Sequence, residues 1–219
     1  MENSKGTRSN DYLTVALRGL SKTLFPKWYA AAHAPPFYVP LFKYQPLPDP
    51  TRMIRLITIK PSPHYQWYDP EQIIVIETKA VILEECPEHH SFVAISYCWG
   101  NPNETSKIIC DGAVMTITKS LHEALLRFRG RSERTFWADA ICINQTDDSE
   151  KTQQVRLMRQ IYETASTVAV WLGDAGANSD HEIFRYLPQL DDIGWSSVGQ
   201  FLQRPWWGRM WIIQEIAVA

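Results

Sequence analysis

The carboxylate whose neighbours best suit active-site chemistry is Glu215, near the end of the sequence. On a helix, Trp207, Trp211 and Glu215 would lie along one drifting face, because they are spaced four residues apart. A carboxylate above indole rings loses part of its hydration, which raises its pKa and makes it a candidate catalytic group. From the residues alone a structural interpretation is favoured, in which the tryptophans are core and Glu215 pairs with a basic neighbour such as Arg204 or Arg209.

Further polar and aromatic groups follow the predicted core strands. In an open parallel sheet, ligands bind just beyond the carboxyl ends of the strands, which selects residues 96–100, 139–145 and 173–174. An indole offers a flat face, a glycine allows close backbone approach, and carboxylates and amides form hydrogen bonds. The candidate binding residues from these segments and the terminal one are Ser96, Trp99, Gly100, Asp139, Asn144, Gln145 and Trp207.

Other catalytic and metal-binding patterns are weak. The sequence lacks the Gly-x-Ser-x-Gly nucleophile elbow, the Gly-rich phosphate loop that ends in Gly-Lys-Ser/Thr, and the Gly-x-Gly-x-x-Gly dinucleotide motif. Cys86, His89 and His90 could bind zinc, but a fourth ligand at sensible spacing is missing, so no metal site is predicted. Cys98 and Cys142 are poor nucleophile candidates because no histidine is evidently placed to activate either thiol.

Composition narrows the expected partners and location. The 22 basic and 24 acidic residues give a net charge of −2, so no overall field attracts nucleic acid. No apolar stretch approaches the ~20 residues that a transmembrane helix needs, and the first residues lack the order of a secretory signal. The four scattered cysteines are typical of reduced thiols. We therefore expect a cytoplasmic protein that has no transmembrane segment and does not bind nucleic acid.

The first part of the chain is predicted to contain a helix, a linker and strands. Apolar residues at steps of three and four predict an amphipathic helix over 11–32, and six prolines predict an extended linker over 35–50. β-rich runs predict a strand at 52–59 and one or two strands at 72–83. The short apolar run 92–97 is typical of a strand buried on both faces.

A hairpin and a helix are predicted next. An Asp-Gly pair between 108–110 and 113–117 favours a two-residue turn that joins two strands. Ser120 with Glu123 resembles a capping box for the helix that follows.

The remaining elements alternate between strands and helices. They are a strand at 135–140, a helix from Asp147 to Ala165 with a capping box formed by Asp147 and Glu150, a buried strand at 167–172, a helical patch at 182–187 and a last helix from Pro205 to Ala219. The last helix has no C-cap, so we expect the domain to be truncated at its C-terminal end. Buried strands that alternate with capped helices predict an α/β fold with a parallel sheet.

These elements suggest three parts of the chain. Residues 1–35 would be an N-terminal amphipathic helix and arm, and residues 36–91 a proline-rich linker with a β-rich lead-in. Residues 92–219 would form the α/β domain, with the β-hairpin as an insertion and the earlier strands as an N-terminal extension.

At the same segments the sequence resembles the heterokaryon incompatibility (HET) domain of filamentous fungi. The matching motifs occur in the family's order from about Pro40 onward; they are 54–56, 92–100, 136–145, Glu150, 154–155, Met158, 161–162, Ala165, 170–173 and 204–215. The resemblance implies a signalling or effector module in non-self recognition and programmed cell death. It would act by self-association or by recruiting other incompatibility or signalling proteins.

HET domains in turn resemble Toll/interleukin-receptor (TIR) domains, which have a flavodoxin-like parallel sheet with flanking helices. Enzymatic TIR domains cleave NAD with a glutamate in a Trp-x-x-x-Glu context, which Trp211 and Glu215 reproduce. This second resemblance implies an alternative function, a TIR-like NAD glycohydrolase in which Glu215 is catalytic. Trp99 or Trp207 would stack on a ring of NAD, while Asp139, Asn144 and Gln145 bind its ribose or phosphates. NAD would be a substrate, and no resident cofactor is implied.

Overall fold

The computed structural model describes residues 12–14, 38–61, 73–86, 92–173, 199, 201–209 and 215. The strands are β1 Tyr12–Thr14, β2 Tyr38–Pro40, β3 Met53–Ile59, β4 Val75–Ile82, β5 Val93–Tyr97, β6 Thr105–Cys110, β7 Ala113–Thr118, β8 Arg134–Trp137 and β9 Thr167–Trp171. The α-helices are α1 Lys119–Phe128, α2 Asp139–Cys142 and α3 Asp148–Thr164, and short 3-10 helices span Leu83–Glu85 and Pro205–Gly208.

Seven strands form one mixed sheet in the order β7-β6-β4-β3-β8-β5-β9, and β1 pairs with β2 in a separate small sheet. The strands β8, β5 and β9 run parallel to one another, as do β4 and β6. By contrast, β3 is antiparallel to both of its neighbours, and β6 is antiparallel to β7. The α/β fold is confirmed; β8, β5 and β9 form its parallel part, and the strands of the predicted extension and hairpin make the whole sheet mixed.

Neighbouring aromatic side chains of β8 show how the helices cover the sheet. Successive side chains of a strand point to opposite faces. Phe136 stacks on Phe128 of α1 with ring centroids 6.0 Å apart, whereas Trp137 meets Tyr162 of α3 edge-on at 5.6 Å. The helices α1 and α3 therefore pack on opposite faces, and the main core lies between them and the central strands.

The β6–β7 hairpin has the turn that the sequence predicts. Asp111 and Gly112 both have positive φ angles, 51° and 78°, as a two-residue turn of this type requires. The Asp111 carboxylate also accepts hydrogen bonds from the amide and the hydroxyl of Thr78, at 2.8 and 2.5 Å. This aspartate therefore shapes the turn and fastens the hairpin to β4.

One of the two predicted N-cap residues is correct, although no capping box forms there, because the Asp147 amide donates to the Asn144 carbonyl and Glu150 accepts from the Asn144 amide. Asp147 caps α3 by accepting from the amides of Ser149 and Glu150. The cap of α1 is Thr118, whose hydroxyl accepts from the amide of Leu121, rather than the predicted Ser120. Ser120 instead donates its hydroxyl proton to the Cys98 carbonyl oxygen at 2.6 Å, which ties α1 to the end of β5.

Three other predictions about elements need correction. Residues 12–14, which the predicted N-terminal helix included, form strand β1. The strand β8 ends at Trp137, because α2 begins two residues later. The strand β9 is at an edge of the sheet and is only partly buried, with Val170 37% exposed, so it is not the fully buried strand expected from its apolar residues.

The sheet spans the predicted boundary at residue 92, since β3 lies between β4 and β8 in the same sheet as β5. The proposed three-part division stays a prediction. The rest of the 11–32 helix and the patch at 182–187 lie outside the described residues. Within the ranges given above, no helix has the length and apolar character to cross a bilayer.

Replacing Gly112 with alanine tests the turn. The new Cβ meets no atom within 4 Å, so the cost comes from the left-handed backbone alone, about 1–2 kcal/mol of unfolding free energy. Urea denaturation measures this loss. Gly130→Ala is the matched control, because Gly130 has no positive φ and a Cβ there would make ordinary contacts. An equal loss for both variants would contradict the role of the turn.

Candidate functional site

Several candidate residues from different parts of the chain lie at the carboxyl ends of the parallel strands β5, β8 and β9, which we call the carboxyl edge of the sheet. Because β5 is parallel to β8 and β9, their carboxyl ends at Tyr97, Trp137 and Trp171 point the same way. Ser96 is the next-to-last residue of β5, and Asp139 is the second residue after β8. This edge is the one at which ligands bind in open α/β sheets.

Glu215 is at the centre of a buried polar cluster at this edge. Arg209 donates two hydrogen bonds to its carboxylate, from Nη1 to Oε2 at 2.8 Å and from Nη2 to Oε1 at 2.7 Å. The Ser96 hydroxyl also donates to Oε2. Ser96 Oγ in turn accepts from Trp206 Nε1 at 2.7 Å and from Arg209 Nη1 at 3.2 Å. Every member of this set therefore has a polar partner.

Burial differs across the cluster. Glu215 and Ser96 have no exposed surface, whereas the Arg209 side chain is 16% exposed. A buried carboxylate must be paired to be stable, and Arg209 provides this pairing. The sequence left two interpretations of Glu215 open, and in this conformation it forms the structural ion pair, with Arg209 rather than Arg204.

The second acidic group, Asp139, is half-buried beside Trp99. Its Oδ2 accepts from the indole Nε1 of Trp99 at 2.9 Å, and its Oδ1 accepts from the amide of Ala140 at 2.8 Å. Burial raises the pKa of Asp139, although these hydrogen bonds and the nearby Arg209 oppose the rise. An acid with a raised pKa at a strand end is typical of functional sites.

Two tyrosines lie near these acids, Tyr97 close to Asp139 and Tyr162 close to both Asp139 and Glu215. The pKa of Tyr97 is raised by burial first and then by the Asp139 carboxylate. Among the described residues, no group lies in hydrogen-bonding geometry with the Tyr97 hydroxyl. The pKa of Tyr162 is also raised, by burial first and then by Glu215 and Asp139. Arg209 opposes both rises. The Glu215 cluster and Asp139 are therefore one electrostatic neighbourhood.

Trp99 and Gly100 form the exposed rim of this neighbourhood. Trp99 is 41% exposed, so one part of its indole reaches solvent while its Nε1 bonds to Asp139. Gly100 has a φ of 73°, and a Cβ there would lie 3.5 Å from the Ser120 side chain. A residue with a side chain would be strained at this position, so the turn after β5 needs its glycine.

Asn144 and Gln145 stabilise the loop after α2. The Asn144 side-chain oxygen accepts from the amide and the hydroxyl of Thr146, at 3.2 and 2.8 Å. The Gln145 side chain donates to the Asp139 backbone carbonyl at 3.0 Å. Both side chains therefore make local hydrogen bonds next to the site, and ligand binding by either of them stays a prediction.

Trp207 lies on the surface. The prediction of one continuous helix from Pro205 to Ala219 is wrong, because the backbone is extended at Arg209. The 3-10 turn ends at Gly208, and Arg209 has extended backbone angles, φ −80° and ψ 137°. Trp207 and Glu215 therefore do not share a continuous helical face, while Trp211 lies outside the described residues. Trp207 packs edge-on against Trp206 and Phe201 and is 36% exposed.

Sequence reasoning missed a second buried ion pair, between Arg55 of β3 and Glu150 of α3. Their two hydrogen bonds measure 2.5 and 2.8 Å, and the side chains are 5% and 4% exposed. Burial favours a raised pKa for Glu150, but Arg55 and the Asn144 amide lower it below its usual value. An arginine inside the apolar strand 53–59 is the signal that could have revealed this pair.

This ion pair holds the loop that carries Asp139. Arg55 also donates to the Cys142 carbonyl at 3.2 Å and to the Gln45 carbonyl at 2.6 Å. Glu150 accepts from the Asn144 amide at 2.8 Å. The segment from α2 to the start of α3 is therefore fastened to β3 from both sides.

No metal centre accompanies these acids in the described ranges, where no three His, Cys, Asp or Glu side chains gather as metal ligands would. The four cysteines are free thiols; Cys110 and Cys142 are buried, and Cys86 and Cys98 are half-buried. Burial raises the pKa of Cys142 to about 12. This thiol is therefore protonated at neutral pH and unsuited to act as a nucleophile.

Comparison with known proteins agrees with the motifs. The family model for heterokaryon incompatibility protein (HET) matches residues 92–215. Heterokaryon incompatibility protein 6, OR allele, of Neurospora crassa is 35% identical over 170 residues, which are 70% of this chain and 23% of that protein. The chain thus matches less than a quarter of that relative's length. No solved structure matches the chain, so the likeness to TIR domains stays a prediction.

Breaking the Arg55–Glu150 pair should destabilise the fold strongly. Arg55→Met leaves the Glu150 carboxylate buried without its partner, which costs about 3–5 kcal/mol of unfolding free energy. The double variant Arg55→Met/Glu150→Leu should recover much of this loss, because no unpaired charge remains. Denaturant titration measures both. The exposed pair of Arg159 and Glu163, with side chains 71% and 41% exposed, is the control, and Arg159→Met should cost less than about 1 kcal/mol. A similar loss at both arginines would contradict this assignment.

The raised pKa of Asp139 predicts a pH-dependent gain for Asp139→Asn. At low pH the wild-type acid is protonated, so the variant and the wild type should be about equally stable. As pH rises through the ordinary and then the raised pKa, the wild type loses stability relative to the variant, because ionisation is disfavoured where Asp139 lies. Thermal unfolding from below the ordinary pKa of 3.8 up to pH 8 measures the difference. The exposed Asp148→Asn variant is the control, and an Asp139→Asn variant with no pH-dependent gain would contradict the prediction.

Proposed function

The chain belongs to the heterokaryon incompatibility family, and on this premise we propose that it is an effector module of fungal non-self recognition and programmed cell death. It acts by self-association or by recruiting partner proteins. The observation that carries this proposal is the state of Glu215, which is fully buried and paired with Arg209. In this conformation the acid stabilises the fold and has no access to a substrate.

An apolar surface patch is the part of the module that we assign to association. The patch consists of Phe201, Leu202 and Trp207; Leu202 is 54% and Trp207 is 36% exposed, and the Phe201 and Trp207 rings lie 5.4 Å apart. Aromatic side chains are enriched at the centres of protein interfaces. A second copy of the chain is the partner that self-association requires.

Substitution in this patch tests the first proposal. Leu202→Glu together with Trp207→Ser should weaken self-association by about tenfold or more, because an interface anchor is worth ~1.4 kcal/mol or more. Analytical ultracentrifugation measures association, and expression in fungal cells measures death. Glu215→Gln, which keeps a hydrogen-bond acceptor for Arg209 and Ser96, should still associate and still kill. A patch variant that is folded, monomeric and fully toxic would contradict the proposal.

NAD cleavage is the second candidate function, and one observation favours it. Glu215, Ser96, Asp139 and Trp99, drawn from distant parts of the chain, lie in one polar neighbourhood at the carboxyl edge of the sheet. A ligand at this edge would meet an exposed indole, a half-buried acid and, once its ion pair opens, a second carboxylate. These are the groups that hold an aromatic ring and a ribose.

For this reaction the protein must position the ribose and stabilise positive charge at its C1′ atom. The bond between ribose C1′ and the nicotinamide nitrogen breaks, and its electron pair neutralises the pyridinium, so no general acid is needed. The carboxylate of Glu215 would stabilise the oxocarbenium cation that develops at C1′. Water then adds to C1′ and loses a proton, giving ADP-ribose and free nicotinamide.

Nicotinamide release from NAD tests the second candidate. Concentrated wild-type protein should release nicotinamide, and Glu215→Gln should reduce the rate by about 10²-fold or more, because a neutral amide stabilises a cation poorly. Chromatography of the reaction measures the product. Asp148→Asn, at an exposed position of α3, should leave the rate unchanged. Equal rates for the wild type and Glu215→Gln would contradict the catalytic role of this acid.

A further inference from the structure

Arg209 is the member of the buried cluster that solvent can reach. Its side chain is 16% exposed, whereas Glu215 and Ser96 have no exposed surface. A ligand that approaches this edge of the sheet therefore meets the guanidinium before it meets the carboxylate. Access to Glu215 requires that the guanidinium first gives up its two hydrogen bonds.

The chemistry of a guanidinium limits what can replace Glu215. Its planar fork binds carboxylates and phosphates through two parallel hydrogen bonds. The described acids in its surroundings are Glu215, to which it is bound, and Asp139, whose pKa it lowers. A phosphate would satisfy the same donors and would carry at least as much negative charge as the carboxylate it displaces.

We propose that Arg209 is the phosphate-binding group of this site, and that it exchanges the Glu215 carboxylate for a phosphate of an incoming nucleotide. The proposal rests on the second candidate function and adds to it the group that selects the substrate. The ligand class is a nucleoside diphosphate or a dinucleotide. Its phosphate binds Arg209, and its base has the exposed indole of Trp99 to stack on.

The remaining contacts of Glu215 would keep its side chain in position after its ion pair with Arg209 breaks. The Ser96 hydroxyl donates to its Oε2, and Trp206 Nε1 holds Ser96 Oγ at 2.7 Å. Arg209 also donates to Ser96 Oγ, at 3.2 Å, but the bond from Trp206 is shorter and remains when the guanidinium turns towards a phosphate. After the exchange, Glu215 therefore keeps one hydrogen bond and a fixed position, but its charge is no longer neutralised, so it becomes available to a cationic sugar.

Binding of pyrophosphate and of ADP, measured by calorimetry, tests the exchange without any catalytic turnover. In the wild type the Glu215 carboxylate competes with the ligand for Arg209. Glu215→Gln removes this competitor and should bind both ligands about tenfold more tightly, because one charge-assisted pair is worth ~1.4 kcal/mol or more. Arg209→Met/Glu215→Gln, which leaves no unpaired buried charge, should bind at least tenfold more weakly than Glu215→Gln. Arg159→Met, which removes an exposed arginine of α3, should bind as the wild type does.

The result that overturns the proposal is a folded Glu215→Gln variant that binds pyrophosphate no more tightly than the wild type. Equal binding by Glu215→Gln and the double variant overturns it as well. Circular dichroism and thermal unfolding establish that each variant is folded. Tighter binding by Glu215→Gln without NAD cleavage by the wild type would support the exchange and reject the hydrolase. NAD cleavage without tighter binding would reject the exchange alone.

Discussion

The arrangement of this site depends on the pairing of one buried carboxylate. Glu215 has no exposed surface, and its charge is balanced by Arg209 and hydrogen-bonded to Ser96. Because an unpaired charge in this place would cost several kcal/mol, roughly 3–5 when one partner is removed, the segment 204–209 must close over the end of β5. The same pairing that stabilises the fold also keeps the acid away from solvent.

A second buried ion pair fixes the opposite side of the site. Arg55 in the centre of the sheet and Glu150 at the start of α3 hold the loop after α2, and with it Asp139. The first pair buries the Glu215 carboxylate, and the second fixes the position of the segment that contains Asp139. Glu215 is thus positioned by an arginine six residues before it, whereas the segment of Asp139 is positioned by an arginine from a distant strand.

The sequence predicted the elements of the fold better than their arrangement. The hairpin at Asp111-Gly112 and the start of α3 at Asp147 follow from local backbone chemistry, and the structure confirms both. The antiparallel course of β3 and the edge position of β9 depend on contacts across the whole sheet, which periodicity does not encode. The site shows the same division, since the strand-end rule selected Asp139 and Ser96. The pairing of Arg55 with Glu150 lay beyond it, because the two residues are 95 positions apart.

The coupling free energy between Arg209 and Glu215 tests the central claim most directly. It is obtained from a double-mutant cycle of unfolding free energies with Arg209→Met, Glu215→Leu and the double variant. A buried, bidentate pair should give a coupling of about 2–3 kcal/mol, well above the ~0.5 kcal/mol expected for the exposed pair of Arg159 and Glu163. A coupling no larger than that of the exposed pair would show that the two side chains do not hold this edge of the sheet together.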